Sequence, residues 1–288
     1  MARVAFLGLG VMGYPMAGHL TKSGHAASVW NRTLSKAKTW AETYDGDAAN
    51  TPAEAISGAE FVFLCLGDDP DVIAVFNELE PAIQSGMVIV DHTTASAGLA
   101  RSLGKRCADR GAYFIDAPIS GGQAGAENGQ LTIMCGGDAA AFAQAEPIMT
   151  AYGKRMTLIG DSGAGQLAKS VNQICIAGIV QGLAEGMHFA DEVGLDVAKV
   201  IEAISGGAAQ SWQMENRWET MSQGEYEHGF AVDWMRKDLR ITLETARENG
   251  ASLPLTAMVD QYYADIQAMG GQRWDTSSLL ARMGRRKS

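Results

Sequence analysis

The stretch Val4–Leu20, VAFLGLGVMGYPMAGHL, contains the signal that decides the fold. A strand-like apolar run leads into glycines spaced G-x-G-x-x-G, and a helical run follows them directly. Glycines in this pattern permit a tight turn and a close approach of pyrophosphate to the backbone, and the helix N-terminus adds unpaired N–H groups and a positive dipole end. The stretch therefore predicts a dinucleotide site. Its predicted contacts are Gly8, Gly10, Val11, Met12 and Gly13.

Up to about residue 160, short apolar runs alternate with helical patterns. This alternation indicates βαβ units and a mainly parallel sheet with helices on both faces. The predicted strands are Arg3–Leu7, Ala26–Trp30, Phe61–Leu66, Met87–Asp91, Tyr113–Asp116, Leu131–Cys135 and Arg155–Leu158. The predicted helices between them include Val11–Ser23, Leu34–Tyr44, Ala97–Arg110 and Ala139–Ala151.

Beyond Gly163 the strand signals stop and the remaining pattern is helical. The predicted helices here are Ala164–Gly194, Val197–Ile204, Ser211–Met221, Val232–Asn249 and Pro254–Met269. The sequence thus predicts an α/β fold class: an N-terminal Rossmann domain over 1–162 and an all-α substrate and oligomerisation domain over 163–288, joined by a long helix.

The composition excludes several classes of protein. With 23 basic and 33 acidic residues the net charge is −10, which argues against nucleic-acid binding. The most apolar long segment, 167–190, carries too many polar residues for a membrane span, and the chain opens directly on a strand without a leader, so we expect a cytoplasmic protein. The short basic run Arg285-Arg286-Lys287 is expected to be a solvated tail.

The four cysteines are far apart and form no C-x-x-C pair, which favours free thiols in a reducing compartment. The five histidines show no metal-ligand spacing, so no metal site is expected.

The end of the second predicted strand favours NADP over NAD. An NAD site usually places an acidic residue there, where it bonds the ribose 2′-hydroxyl. Here Asn31 takes that place, so no carboxylate repels a 2′-phosphate. Arg32 can donate two hydrogen bonds to the phosphate, Thr33 can donate one from its hydroxyl, and Lys36 adds positive charge. The alternative is that the basic residues are ordinary surface charges.

The stretch GAGQLAKSVNQ, residues 163–173, places a lysine where a helix face passes from polar to apolar residues. Lys169, Asn172 and Gln173 share this face. Lysine is rarely buried without a reason, so Lys169 is a candidate acid/base, although a lysine that extends to solvent fits this stretch equally well.

Three further segments are candidates for a functional role. Ser120-Gly121-Gly122 follows a strand, and adjacent glycines after a strand expose backbone N–H groups that can hold a carboxylate, although a plain flexible loop is the alternative. DHTTAS (91–96) ends another strand on the presumed ligand side, and GFAVDWMRKDLRI (229–241) contains Phe230, Lys237 and Asp238.

The chain resembles the β-hydroxyacid dehydrogenase family over almost its whole length. Four motifs carry the resemblance, and they occur in the order GLGVMG, DAPISGG, GAGQLAKSVNQ and GFAVDWMRKDL. The resemblance implies a Rossmann domain, a long connecting helix and an all-α C-terminal domain. It implies that Ser120, Gly121 and Gly122 hold a substrate carboxylate and that Lys169 is the catalytic acid/base. Further substrate and cofactor positions that it implies are Thr94, Phe230 and Asp238 for substrate, and Leu66, Thr94 and Lys237 for cofactor.

One position departs from the family pattern. Family members usually carry Asn four residues after the lysine, where this chain has Gln173; Asn172 matches the Asn before it. The longer glutamine retains the amide, so we expect both residues to contact substrate with shifted geometry.

The expected activity is NADP(H)-dependent interconversion of a small β- or γ-hydroxyacid and its semialdehyde or keto acid. Open alternatives are a serine-type dehydrogenase and a non-catalytic NADP-binding module; an imine reductase would replace Lys169 by tyrosine or aspartate. Arg217 is a candidate for a second substrate carboxylate or a surface residue. The glycines at 178, 182 and 186 favour close helix packing and a homodimer or homotetramer.

Overall fold

The computed structural model describes residues 1–284, and the predicted basic tail 285–287 lies outside them. Two compact units divide the chain, residues 1–169 and the part from Ser170 onward. The division falls inside one long helix, Ala164–Glu192. Each unit has a core of its own.

The first unit is built on a nine-stranded sheet. Its strands are β1 (Arg3–Leu7), β2 (Ala26–Trp30), β3 (Asp47–Ala48), β4 (Phe61–Leu64), β5 (Val88–Asp91), β6 (Tyr113–Asp116), β7 (Ile119–Ser120), β8 (Leu131–Gly137) and β9 (Gly153–Gly160). The strand order is β3-β2-β1-β4-β5-β6-β8-β7, with β9 also paired to β8. The strands β1 to β6 pair in parallel, whereas β8 runs antiparallel to β6 and β7 and parallel to β9.

Helices cover both faces of this sheet, as the sequence predicts. They are α1 (Gly13–Lys22), α2 (Leu34–Tyr44), α3 (Pro52–Ala55), α4 (Asp69–Leu79), α5 (Ala97–Ala108), α6 (Gly122–Glu127) and α7 (Ala139–Met149). In β1, Val4 and Phe6 belong to one buried cluster, while Ala5 and Leu7 belong to another. Because alternate side chains of a strand point to opposite faces, both faces of the sheet are buried, which is typical of a doubly wound parallel sheet.

The rest of the described chain is helical. Its helices are α8 (Ala164–Glu192), α9 (Val197–Ile204), α10 (Trp212–Gln223), α11 (Val232–Asn249) and α12 (Pro254–Ala268), and a 3₁₀ segment follows at Thr276–Met283. Within residues 161–284 the only β pairing is an isolated bridge between Ala231 and Asp275. A cluster that includes Leu183, Met235 and Tyr263 forms the core of the second unit.

These observations confirm the predicted fold class and correct several predicted boundaries. The strand β4 ends at Leu64 instead of Leu66, and β5 begins at Val88 instead of Met87. The predicted strands Leu131–Cys135 and Arg155–Leu158 are parts of the longer β8 and β9. Among residues 1–284, no helix combines the length and apolar character needed to cross a bilayer.

The topology brings the segments that carry predicted site residues to one edge of the sheet. Since β1, β4 and β5 are parallel neighbours, their carboxyl ends lie side by side. The chain leaves these ends at the glycine turn, at Leu66 and at the segment 92–96. In parallel α/β sheets this edge is where ligands bind.

Candidate active site

The turn between β1 and α1 has the shape that a dinucleotide requires. Gly8 has φ of +103°, and a Cβ there would lie 2.2 Å from the carbonyl oxygen of Cys65. A Cβ at Gly13 would lie 2.0 Å from the Gly8 carbonyl oxygen, so only glycine fits either position. At Gly10 a Cβ would meet no atom within 4 Å, and the first turn of α1 carries no acidic residue. The open side of the turn therefore fits an anionic pyrophosphate.

The residues after β2 lie next to this turn. Asn31 Oδ1 accepts a hydrogen bond from the Leu9 backbone N–H at 2.9 Å, and its Nδ2 donates to the Thr33 carbonyl oxygen at 3.1 Å. Asn31 thus ties the glycine turn to the start of α2. Arg32 is exposed and lies 3.2 Å from Asp71 Oδ1, while Thr33 and Lys36 are also exposed. The four predicted specificity residues are therefore adjacent in space.

Polar contacts join the segment 93–95 to Leu66 and to Gln166. Thr93 Oγ1 accepts a hydrogen bond from the Leu66 backbone N–H at 2.9 Å. The side chain of Gln166 brackets Thr94, because its Nε2 donates to the Thr93 carbonyl oxygen at 2.7 Å and its Oε1 accepts from the Ala95 N–H at 3.0 Å. Thr93 and Gln166 are not among the site residues that the sequence predicts.

Two titratable groups are buried just before this segment. Burial raises the pKa of Asp91 to about 7, against the opposing effect of hydrogen bonds from Thr93. Burial lowers the pKa of His92 to about 4, so its ring is neutral at neutral pH. The His92 ring contacts the Ala117 carbonyl oxygen at 2.7 Å and the Tyr152 hydroxyl at 2.8 Å. His92 is therefore a core residue of the sheet, with both ring nitrogens engaged.

The start of α8 is held against the sheet by a buried carboxylate. Asp116 Oδ1 accepts from the Gly163 N–H at 2.7 Å, and Oδ2 accepts from the Gln166 N–H at 2.9 Å. A Cβ at Gly165 would lie 2.4 Å from the Met134 carbonyl oxygen, which explains the second glycine of GAGQ. These contacts fix the helix that carries Lys169 relative to β6 and β8.

Lys169 is buried, with 6% of its surface exposed. Its Nζ donates a hydrogen bond to the Ile119 carbonyl oxygen at 2.8 Å. The alternative in which this lysine extends to solvent is therefore wrong. Ser120 follows Ile119 directly, and the next residue, Gly121, has φ of +131° and caps α6. The structure thus brings Lys169 to the segment Ser120-Gly121-Gly122, in which Ser120 is half-buried and both glycines are exposed.

Four other predicted residues form one network in the second unit. Gln173 is buried, its Nε2 donates to Asp238 Oδ2 at 2.5 Å, and its Oε1 accepts from Asn172 Nδ2 at 2.8 Å. Lys237 Nζ lies 3.0 Å from the other carboxylate oxygen of Asp238. The Gln173 side chain thus links α8 to α11.

Phe230 is held by a different residue, Asp275, whose Oδ2 accepts the Phe230 backbone N–H at 2.8 Å. Arg217 Nε lies 3.4 Å from Asp275 Oδ1, and its guanidinium stacks 4.7 Å from the centre of the Trp212 ring. Arg217 is therefore partly buried and paired with a carboxylate of its own chain, and its contact with a second substrate carboxylate stays a prediction. Within residues 1–284, no group of three or more His, Cys, Asp or Glu side chains is arranged to hold a metal ion.

Comparison with known proteins gives matches over both halves of the chain. Residues 3–160 match the family model of the NAD binding domain of 6-phosphogluconate dehydrogenase. Residues 163–283 match the family model described as NAD-binding of NADP-dependent 3-hydroxyisobutyrate dehydrogenase.

Individual relatives extend over the whole length. An uncharacterized oxidoreductase of Shewanella frigidimarina is 57% identical, covering 100% of each chain. The 2-hydroxy-3-oxopropionate reductase of Escherichia coli is 32% identical, covering 96% of each chain. The solved structure of Mycobacterium tuberculosis 3-hydroxyisobutyrate dehydrogenase with L-serine superimposes with a TM-score of 0.90 at 26% identity, covering 98% of this chain and 99% of that one. The chain therefore belongs to the β-hydroxyacid dehydrogenase family of nicotinamide-dependent oxidoreductases.

Proposed function

We propose that the protein uses NADP(H) to interconvert a small β- or γ-hydroxyacid and its semialdehyde or keto acid, with Lys169 as general acid/base. The observation that carries the proposal is the burial of Lys169 and its 2.8 Å hydrogen bond to the Ile119 carbonyl, directly before Ser120-Gly121-Gly122. An ammonium donor beside a serine hydroxyl and two glycine N–H groups suits a substrate that carries both a carbonyl and a carboxylate.

In this mechanism the Ser120 hydroxyl and the backbone N–H groups of Gly121 and Gly122 hold the substrate carboxylate. Lys169 donates a hydrogen bond from Nζ to the substrate carbonyl oxygen, while the Ile119 carbonyl keeps Nζ in place. A bound reduced nicotinamide would supply the hydride that the carbonyl carbon takes up. Lys169 then transfers one proton from Nζ to the resulting alkoxide oxygen, and in the oxidative direction its neutral amine removes the hydroxyl proton.

The Asn172, Gln173 and Asp238 network and Phe230 are the further substrate contacts in this proposal. Lys237, which is paired with Asp238, is a proposed cofactor contact, as are Leu66 and Thr94. The proposal treats these side chains as one network because they contact one another, and its members are Asn172, Gln173, Lys237 and Asp238.

The test of the proposal is a set of initial rates with NADPH and with NADH. Reduction of glyoxylate, succinic semialdehyde, methylmalonate semialdehyde and tartronate semialdehyde would be measured, and oxidation of 3-hydroxyisobutyrate and serine. Serine remains the second candidate because the Mycobacterium tuberculosis relative was solved with L-serine. Binding of NADPH without turnover of any of these compounds would favour the alternative of a non-catalytic binding module.

Substitution of Arg32 by alanine should lower kcat/KM for NADPH by about 10- to 100-fold and leave the value for NADH nearly unchanged. The reason is that a hydrogen bond to a charged group contributes about 1.5–3 kcal/mol, whereas the exposed pair with Asp71 that Arg32 would give up contributes little. Arg3→Ala, which removes an exposed arginine on β1, serves as the control. An equal loss of kcat/KM with NADPH and with NADH would show that Arg32 does not bind the 2′-phosphate.

We also propose that the protein is a homodimer or homotetramer assembled through the second unit. A groove of about 440 Å³ lies between α8, α9 and the segment before α10, and a Cβ at Gly182 or Gly186 would meet no atom within 4 Å. Gly186→Glu should shift the protein toward the monomer in sedimentation velocity, because it places a charge in this apolar groove while improving helix propensity. Ala203→Glu, exposed on α9, should leave the assembly unchanged.

A further inference from the structure

Gln166 has the surroundings of a residue that sets the position of others. Its side chain is 2% exposed, and both ends of its amide are used in one orientation, donating to the Thr93 carbonyl and accepting from the Ala95 N–H. Its own backbone N–H donates to Asp116. The residue therefore connects three segments of the first unit, namely the end of β6, the chain after β5 and the first turn of α8.

The positions that Gln166 connects are those proposed to carry the chemistry. Thr94 lies between the two backbone groups that the amide brackets, and Thr93 in turn accepts from the Leu66 N–H. Lys169 follows Gln166 by three residues, on the same side of α8. A displacement of the Gln166 side chain would consequently alter the spacing between Thr94 and Lys169 without touching either.

We infer that Gln166 is a positioning residue, which fixes the distance between the segment 93–95 and Lys169 for proton transfer. This inference rests on the proposed function. Backbone groups so buried need partners, and a methionine at position 166 would fill the same space without bonding either of them. A misplacement of about 1 Å costs on the order of 100-fold in rate.

Two variants separate positioning from a general effect on folding. Gln166→Met should lower kcat by about 10- to 100-fold at every pH and raise the primary isotope effect with deuterated NADPH, because hydride and proton transfer become the slow steps. Gln166→Glu should recover activity at low pH, since a protonated carboxyl donates to the Thr93 carbonyl and accepts from the Ala95 N–H as the amide does. Its activity relative to the unmodified protein should fall at least about tenfold as pH rises and the carboxyl ionises, since the ionised group loses the donor and faces the Thr93 carbonyl oxygen.

Gln181→Met is the matched control, because Gln181 is also a buried glutamine on α8 and bonds only Glu185 among the contacts described. Its kcat should stay within about twofold of the unmodified protein, as expected for a site remote from the chemistry. A kcat for Gln166→Met equal to that of the control, or a Gln166→Glu pH profile parallel to the unmodified one, would overturn the inference. If Gln166→Met does not fold, the pH profile of Gln166→Glu decides alone. Failure of the proposed function would be seen differently, as an unmodified protein that turns over none of the substrates.

Discussion

Replacement of Lys169 by alanine should lower turnover by about 10²–10⁴-fold while leaving NADPH binding intact. General acid/base catalysis contributes a factor of this size, and it corresponds to about 3–5 kcal/mol of activation free energy. The dinucleotide contacts proposed for the glycine turn and for Arg32 do not involve Lys169, so the dissociation constant of NADPH should change little. Stopped-flow or steady-state reduction of the preferred substrate would give the rate, and quenching of tryptophan fluorescence would give the affinity.

Two further variants make this test specific. Lys169→Met retains most of the apolar stem in its buried site, so it separates loss of the ammonium from loss of packing. Lys199→Ala removes an exposed lysine on α9 that pairs only weakly with Asp196, and its turnover should match that of the unmodified protein. Turnover of Lys169→Ala within about tenfold of the unmodified rate would remove Lys169 from the mechanism.

The fold could be predicted wherever a short apolar run or a helical periodicity ends at turn residues. The strands β1, β2 and β6 and the helices α2, α9 and α11 have the predicted bounds for this reason. The strands β3 and β7 have two residues each, too few to show a period, and they form by pairing with β2 and β8. Their existence is a consequence of tertiary structure and is not encoded in a local pattern.

The helix α4 is not among the helices predicted from the sequence, although its local signals are complete. It begins with the Asp68 cap and Pro70 in the first turn, which are standard helix-start signals. Its buried residues also recur at helical spacing, and they are Val72, Val75, Phe76 and Leu79. Cap residues and periodicity together therefore suffice to predict a helix at this position.

In the candidate site, too, local patterns predict some residues and do not predict others. Lys169, Ser120 and Asp238 were predicted because their residue types and motifs point to chemistry. Gln166 was not, because its partners are 71 and 73 residues away and an amide carries no sign of what it bonds. The pairing of Arg217 with Asp275 could not be predicted either, because Asp275 comes from a distant segment of the chain. Long-range polar contacts are thus the part of a site that one sequence does not reveal.

Asp238→Ala should destabilise the second unit by about 3–5 kcal/mol and abolish most of the activity. Asp238 is 3% exposed, and its removal leaves Lys237 mostly buried without this carboxylate and Gln173 without its 2.5 Å acceptor. Breaking a buried ion pair from one side costs an amount of this order because the remaining charge stays out of water. Urea unfolding followed by tryptophan fluorescence would measure this loss, because four of the six tryptophans lie in the second unit, namely Trp212, Trp218, Trp234 and Trp274. Trp30 and Trp40 report on the first unit.

Two further variants separate the contributions to the expected loss of stability. Asp238→Asn tests the charge of the carboxylate, and Glu244→Ala is the control for an exposed ion pair. Asparagine keeps an oxygen that accepts from Gln173 but removes the charge beside Lys237, so its cost should lie between those of the unmodified protein and Asp238→Ala. Glu244 forms an exposed pair with Arg240 on the same helix, and its removal should cost less than about 0.5 kcal/mol. If Asp238→Ala proves as stable as Glu244→Ala, the carboxylate does not hold this network together. Its place in the candidate site would then rest on substrate contact alone, which the kcat and KM of the same variant would measure.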